Sequence, residues 1–233
     1  MPRYTVAYSE FVRRSDEVLL LAKRARKIER SKDAYEHGDE IKALCRGAMV
    51  LLSSHIEAYV KELAESALDA IYSKEICRSK IDKKFFYYTS KGWINRIKDS
   101  NIPSTISEEV FRFLTDESEL WNRTGPLPRS IDSQEFCMGF SNPKFDKIRK
   151  FLGRFGYEGL RHHLNLTHQA DAILMIANLE QIVDTRNAIA HGESSATRTP
   201  REVSIHIASA KVFCRSVDDG FATWCKANLC SIR

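Results

Sequence analysis

Arg186, Asn187 and His191 bring a permanent cation, an amide and an imidazole together near the end of a long helical pattern. At ~100° per residue, Asn187 and His191 stack on one helix face, and Arg186 lies about a quarter turn to the side of Asn187. An imidazole, with a reference pKa of about 6.5, can give or take a proton near neutral pH. A guanidinium presents a fork of donors that matches a phosphate. Gly192 is the residue type expected just past a helix C-terminus, which puts His191 in the last turn. These types suit proton transfer beside a bound phosphate, and the plainer reading is a helix end with ordinary capping cations.

Several elements must hold that helix end in place. The motif helix is predicted to begin near Thr167. A first helix is expected from about Tyr4 to Tyr35, stopped by Gly38, and a second from about Asp39 to Tyr72 whose apolar positions recur every three or four residues. The second is the predicted central packing element. Within it, Ser53-Ser54-His55-Ile56-Glu57 sets polar side chains among apolar ones. Glu57 is either buried, in which case Arg186 would supply the partner it needs, or solvent-facing and paired with Lys61 at i+4. Thr199-Pro200-Arg201-Glu202 reads as a capping box with Pro at N1, opening a last helix to about Asn228 whose stripe of Val203, Ile207, Ala210, Phe213, Val217, Phe221 and Trp224 packs on the motif helix.

Residues 74–140 read as an irregular helical insertion within a single domain spanning 1–233. Thr105 and Glu108 form an expected capping box for a helix to about Trp121, and Thr124-Gly125-Pro126-Leu127-Pro128 breaks the chain. Asn142-Pro143 reads as N-cap and N1 of a helix to about Phe155, ended by Gly156. Lys83, Lys84, Lys91 and Arg96 are interleaved with Phe85-Phe86-Tyr87-Tyr88 and Trp93. Such a mixture suits single-stranded nucleic acid, phosphates on the charges and bases on the rings, or else a small core with a snorkelling rim. The basic run from Lys23 to Arg30 is likewise either a solvated helix face or an RNA-facing patch.

Arg186-Asn187-Ala188-Ile189-Ala190-His191-Gly192 resembles the R-x4-6-H signature of the HEPN superfamily, small α-helical domains that include many metal-independent ribonucleases. The resemblance implies an all-α fold, an antiparallel bundle of long helices, with Arg186, Asn187 and His191 as site residues. It also implies that Glu57, on an early core helix, faces the motif pair. Glu193 stands where some HEPN toxins carry a Tyr that a partner enzyme modifies, which argues against that mode of control. The middle region goes beyond a minimal four-helix HEPN core.

RNA carries its own nucleophile, the 2′-hydroxyl. Cleavage therefore needs a base for that proton, a cation for the phosphorane and an acid for the leaving oxygen, with no cofactor and no metal required. His191 would serve as base or acid, Arg186 would grip the phosphate, and Asn187 would orient either. One imidazole cannot easily fill both proton roles, and the chain carries a single motif, so a homodimer is expected. The implied product end is a 2′,3′-cyclic phosphate. From the resemblance, the expected role is a toxin or anti-phage defence ribonuclease acting on RNA, with an antitoxin or defence-system protein as a further partner. The alternative is a catalytically silent HEPN module that binds nucleotide or a partner protein.

The 233 residues are 43% hydrophobic, enough to fill a core, and the 36 Lys and Arg against 31 Asp and Glu leave a net charge of +5. That excess permits nucleic-acid binding without demanding it. The six cysteines include no C-x-x-C pair and read as reduced, partly buried thiols, and no zinc-finger spacing occurs. The adjacent His162 and His163 diverge by ~100° on a helix, so they are poor joint metal ligands and read as surface residues. No apolar leader or membrane span is visible, so a cytoplasmic protein is expected.

Overall fold

The computed structural model describes residues 3–233, and among them every regular element is a helix. In chain order these are α1 (Val6–Glu29), α2 (Gly38–Ser73), α3 (Lys83–Thr89), α4 (Lys91–Asp99), α5 (Pro103–Trp121), α6 (Ser133–Cys137), α7 (Phe145–Leu152), α8 (Leu160–His168), α9 (Asp171–Ala190) and α10 (Pro200–Asn228).

Helices α1, α2, α9 and α10 form the bundle that carries the motif. Arg14 and Arg24 of α1 reach Glu62 and Glu40 of α2, so the two helices run antiparallel. Tyr59 donates to the Cys214 carbonyl at 2.8 Å, and Arg46 meets the loop that leads into α10, so α2 and α10 run the same way. The reason is visible in the spacing. Phe11, Val18, Ala22 and Ala25 of α1, and Cys45, Met49, Leu52, Ile56, Val60, Leu63 and Ala67 of α2, are all fully or almost fully buried, each set lining one helical stripe. Each large apolar side chain so buried contributes about 1.5–3 kcal/mol before entropy is counted. The expected stripe of α10 is buried from Val203 to Phe221, with Trp224 half-buried.

Boundaries differ from expectation where side-chain chemistry outweighs pattern. The first helix stops at Glu29, since the next stripe positions are Lys32, a cation, and Tyr35, which stays exposed, and Gly38 opens α2 instead of ending α1. Pro103 starts α5 at its N1 position, two residues before Thr105, so the expected box with Glu108 does not form. Asn142-Pro143 lies ahead of the helix rather than in its first turn; Lys144 is the N-cap, and Asn142 takes a left-handed φ of 54°. The motif helix does not begin at Thr167. Gln169, at φ 49°, separates α8 from α9. The Thr199 and Glu202 capping box forms in full, with Pro200 at N1.

Residues of the 74–140 stretch join the bundle through aromatic rings. Phe85 and Phe136 lie 5.4 Å apart and contact Phe155 at 5.9 and 5.0 Å, and Phe155 meets Phe221 of α10 at 5.5 Å. Buried Arg154 lies over the rings of Tyr88 and Phe151 and donates to the Phe136 carbonyl. Buried Arg78 donates to the carbonyls of Glu119, Thr124 and Gly125, which ties down the chain break after α5.

Candidate active site

The motif sits on a Schellman helix end. The amide of Gly192, at φ 84°, donates to the Ile189 carbonyl at 3.1 Å, and that of Glu193 to the Ala188 carbonyl at 3.0 Å. Glycine takes this left-handed conformation without a Cβ clash, so the sequence closes the helix one residue after His191. His191 is the C-cap residue rather than part of the last turn. The following loop is clamped to α2 by Arg46, whose Nη1 donates to the carbonyls of Glu193 at 2.8 Å, Ser194 at 3.1 Å and Ala196 at 3.3 Å. Sequence reading passed over Arg46. Its only signal was a cation within the apolar pattern of α2.

Arg186 is half-buried, and its Nη1 donates to the amide oxygens of Asn142 at 3.0 Å and Asn187 at 3.1 Å. Among the described residues no carboxylate lies within ion-pair distance of it. Glu57 instead pairs with Lys61 at 2.7 Å, and its other oxygen accepts the Asn142 amide at 3.3 Å. The direct pairing of Glu57 with Arg186 is therefore not formed. The two residues meet through Asn142, whose backbone one holds and whose side chain holds the other. No local pattern marked Asn142 for this, because its partners lie 85 and 44 residues away.

His191 is exposed, and its ring has no hydrogen-bond partner among the described residues. It ends an outward face of α9 that includes Ile173, Leu174, Ala177, Gln181, Asp184 and Ala188, residues within about 100° of one another on the helix. Ile173 and Leu174 are 72% and 63% exposed, so the helix is apolar on both its inner and outer sides. The one charge on this face, Asp184, is held by Lys144 at 2.6 Å. Asn187 lies between the two reactive groups, since Arg186 and His191 are about 140° apart around an ideal helix.

The expected RNA-binding cations lie on α3 and α4, which pack against the turn at 153–155, α5 and α6 rather than against α9. Lys84 pairs with Glu158, Lys91 lies 5.6 Å from the Tyr88 ring, and Arg96 stacks 3.9 Å over Trp93, while Lys83 is exposed. Phe85 and Phe86 are core residues and offer no face to a base; Tyr87 is exposed. The basic run of α1 is exposed at Lys23, Arg24, Arg26, Lys27 and Arg30. His162 is exposed, but the His163 ring lies against the backbone of α10 at Gly220.

Five of the six cysteines are buried, Cys77 is partly so, and all are free thiols. Burial pushes Cys45 and Cys137 up to about 11 and Cys214 and Cys225 further still, so these are neutral packing groups. Among the described residues no cluster of three His, Cys, Asp or Glu side chains could hold a metal ion, and no helix is long and apolar enough to cross a membrane.

The profile of the family described as RiboL-PSP-HEPN matches residues 9–223, a span that takes in α2, the whole motif and most of α10. No curated protein and no solved structure matches the chain. An all-helical bundle whose α9 ends in Arg186, Asn187 and His191, matched over nearly its full length, places the chain in one family: it belongs to RiboL-PSP-HEPN, within the HEPN domains.

Proposed function

We propose that the protein is a metal-independent endoribonuclease in which Arg186 grips the scissile phosphate and two His191 side chains, one from each copy of a homodimer, serve as base and acid. The observation that carries this reading is the state of Arg186. It is fixed by two amide oxygens, has no carboxylate within ion-pair distance among the described residues, and keeps donors free on the same helix end as an exposed imidazole. A guanidinium so placed is oriented without being neutralised, which is what binding a developing phosphorane requires.

The reaction uses groups that the substrate and the chain supply. One imidazole takes the proton of the 2′-hydroxyl, whose oxygen attacks the adjacent phosphorus. The bond to the 5′-oxygen breaks as the second imidazole gives that oxygen a proton, and a 2′,3′-cyclic phosphate remains. Asn187, between Arg186 and His191 on the helix, orients the phosphate. A second copy laid along the outward face of α9 would cover Ile173 and Leu174 and bring both motifs to one cleft. A toxin or defence role acting on cellular RNA fits this activity.

The test is cleavage of RNA by the purified protein in excess EDTA, with the new ends analysed chemically. Cyclic phosphate ends are expected. Substituting His191→Ala should lower the rate by about 10²- to 10⁴-fold, the usual contribution of a general base or acid.

A second reading rests on Glu57, which is occupied by Lys61 and the Asn142 amide rather than facing Arg186. On that reading the module is catalytically silent and the motif binds a phosphate or a partner protein. RNA left intact by well-folded protein in that assay would favour it.

A further inference from the structure

A concavity of about 240 Å³ lies between the chain leading into α1, helix α8, the middle of α10 and Arg233. Its walls include Arg3, Arg215, His163, His168 and Ser216, and also the carboxylate of Asp219 beside Arg233. It stands apart from the motif. Ser216 is 16 residues along α10 from Pro200, roughly 24 Å from the helix end that abuts the motif loop.

The charges here are unbalanced. Arg233 is matched by Asp219 at 3.0 Å and Asp218 at 3.5 Å. Arg215 and Arg3 have no carboxylate within ion-pair distance among the described residues, and Arg3 lies 5.2 Å from the Tyr4 ring centre. Asp218 is fully buried and accepts from the Thr5 amide at 3.3 Å and from its hydroxyl, so its oxygens are occupied by Thr5 and Arg233. At the base, Ser216 is 4% exposed. Its hydroxyl donates to the Val212 carbonyl at 3.0 Å, so it accepts from Nε2 of His168 at 2.6 Å. Nearby, Nε2 of His163 is buried with no partner among the described residues. Two guanidiniums without a carboxylate partner, in one wall with the unpartnered Nε2 of His163, form a receptor for a compact anion.

We infer that this concavity binds a phosphate dianion, free or as a small monoester, between Arg3 and Arg215. The space lies below the roughly 300–1,000 Å³ of drug-sized ligand sites, which suits a phosphate with a small organic group and not an oligonucleotide. The bound anion would tie the chain before α1 and helix α8 to α10, and so stabilise the folded state by mass action.

The test is thermal unfolding of the full chain titrated with inorganic phosphate and with adenosine 5′-monophosphate, each against sodium chloride of equal ionic strength. A saturable rise in melting temperature is expected, on the order of 5–10 °C at a hundredfold excess over the dissociation constant. Arg215→Gln and Arg3→Gln should each weaken binding about 10- to 100-fold, as expected for losing a hydrogen-bonded charge. Arg13→Gln, on the exposed face of α1, should bind as the native chain does. Tighter binding of the nucleotide assigns the site to an ester, and equal affinity assigns it to the free ion. A response no larger than that to chloride, or one unchanged in both Arg215→Gln and Arg3→Gln, overturns the assignment. RNA cleavage is not read here, so the outcome is independent of the ribonuclease proposal.

Discussion

Removing the Asn142 amide while sparing its backbone isolates what that residue does for Arg186. Glycine adopts the left-handed φ of 54° at no steric cost, so Asn142→Gly should fold with nearly native stability. Arg186 would lose its 3.0 Å anchor, and RNA cleavage should fall about tenfold, the scale of one hydrogen bond to a charged group. A native cleavage rate in a variant with a normal melting curve would show that Asn142 does not position Arg186. At the same scale, two histidines contribute to the response to acid. Burial, then Arg198, lowers the pKa of His206, and burial, then Arg14, lowers that of His55. A group depressed on folding takes up its proton first in the unfolded chain. Stability is therefore full above the unfolded value of about 6.5 and is lost as pH falls below it. Urea melts at stepped pH should show that decline, and His206→Gln should make it shallower between pH 6.5 and 5.

Helix α10 depends on a close approach that only glycine permits. A Cβ at Gly220 would stand 2.6 Å from the Tyr157 hydroxyl and 2.7 Å from the His163 ring. Gly220→Ala should therefore cost about 1–3 kcal/mol, read as a fall of several degrees in the melting temperature. Elements whose signals are local were legible in the sequence. The Thr199 box and Pro200 start α10, Gly192 ends α9, and periodic apolar residues mark α2. Contacts across the chain were not legible. Glu57 paired with its i+4 neighbour, one of the two readings its spacing allowed, but its link to Arg186 through Asn142 depends on how α7 approaches α2 and α9. The break at Gln169 carried no proline or glycine to announce it. For Lys84, Lys91 and Arg96 the sequence allowed RNA ligands or a snorkelling rim around a small core; Phe85 and Phe86 fill the core, and the cations meet nearby carboxylates and rings.

The whole molecule presents α9 outward with an apolar face ending at His191, and the proposed dimer is built on that face. Leu174 is 63% exposed, so Leu174→Glu should cost the single chain little stability while placing a charge on the apolar face that the second copy would cover. Light scattering should then report a monomer where the native chain is a dimer, and RNA cleavage should be lost with the dimer. The claim that two His191 side chains share each cut is tested most directly by mixing native and His191→Ala subunits, after exchange has been confirmed with a tagged copy. If every cut needs both imidazoles, heterodimers are inactive and activity falls as the square of the native fraction, to about one quarter in an equal mixture. A linear fall, to about one half, would contradict the shared site and leave each His191 acting on its own.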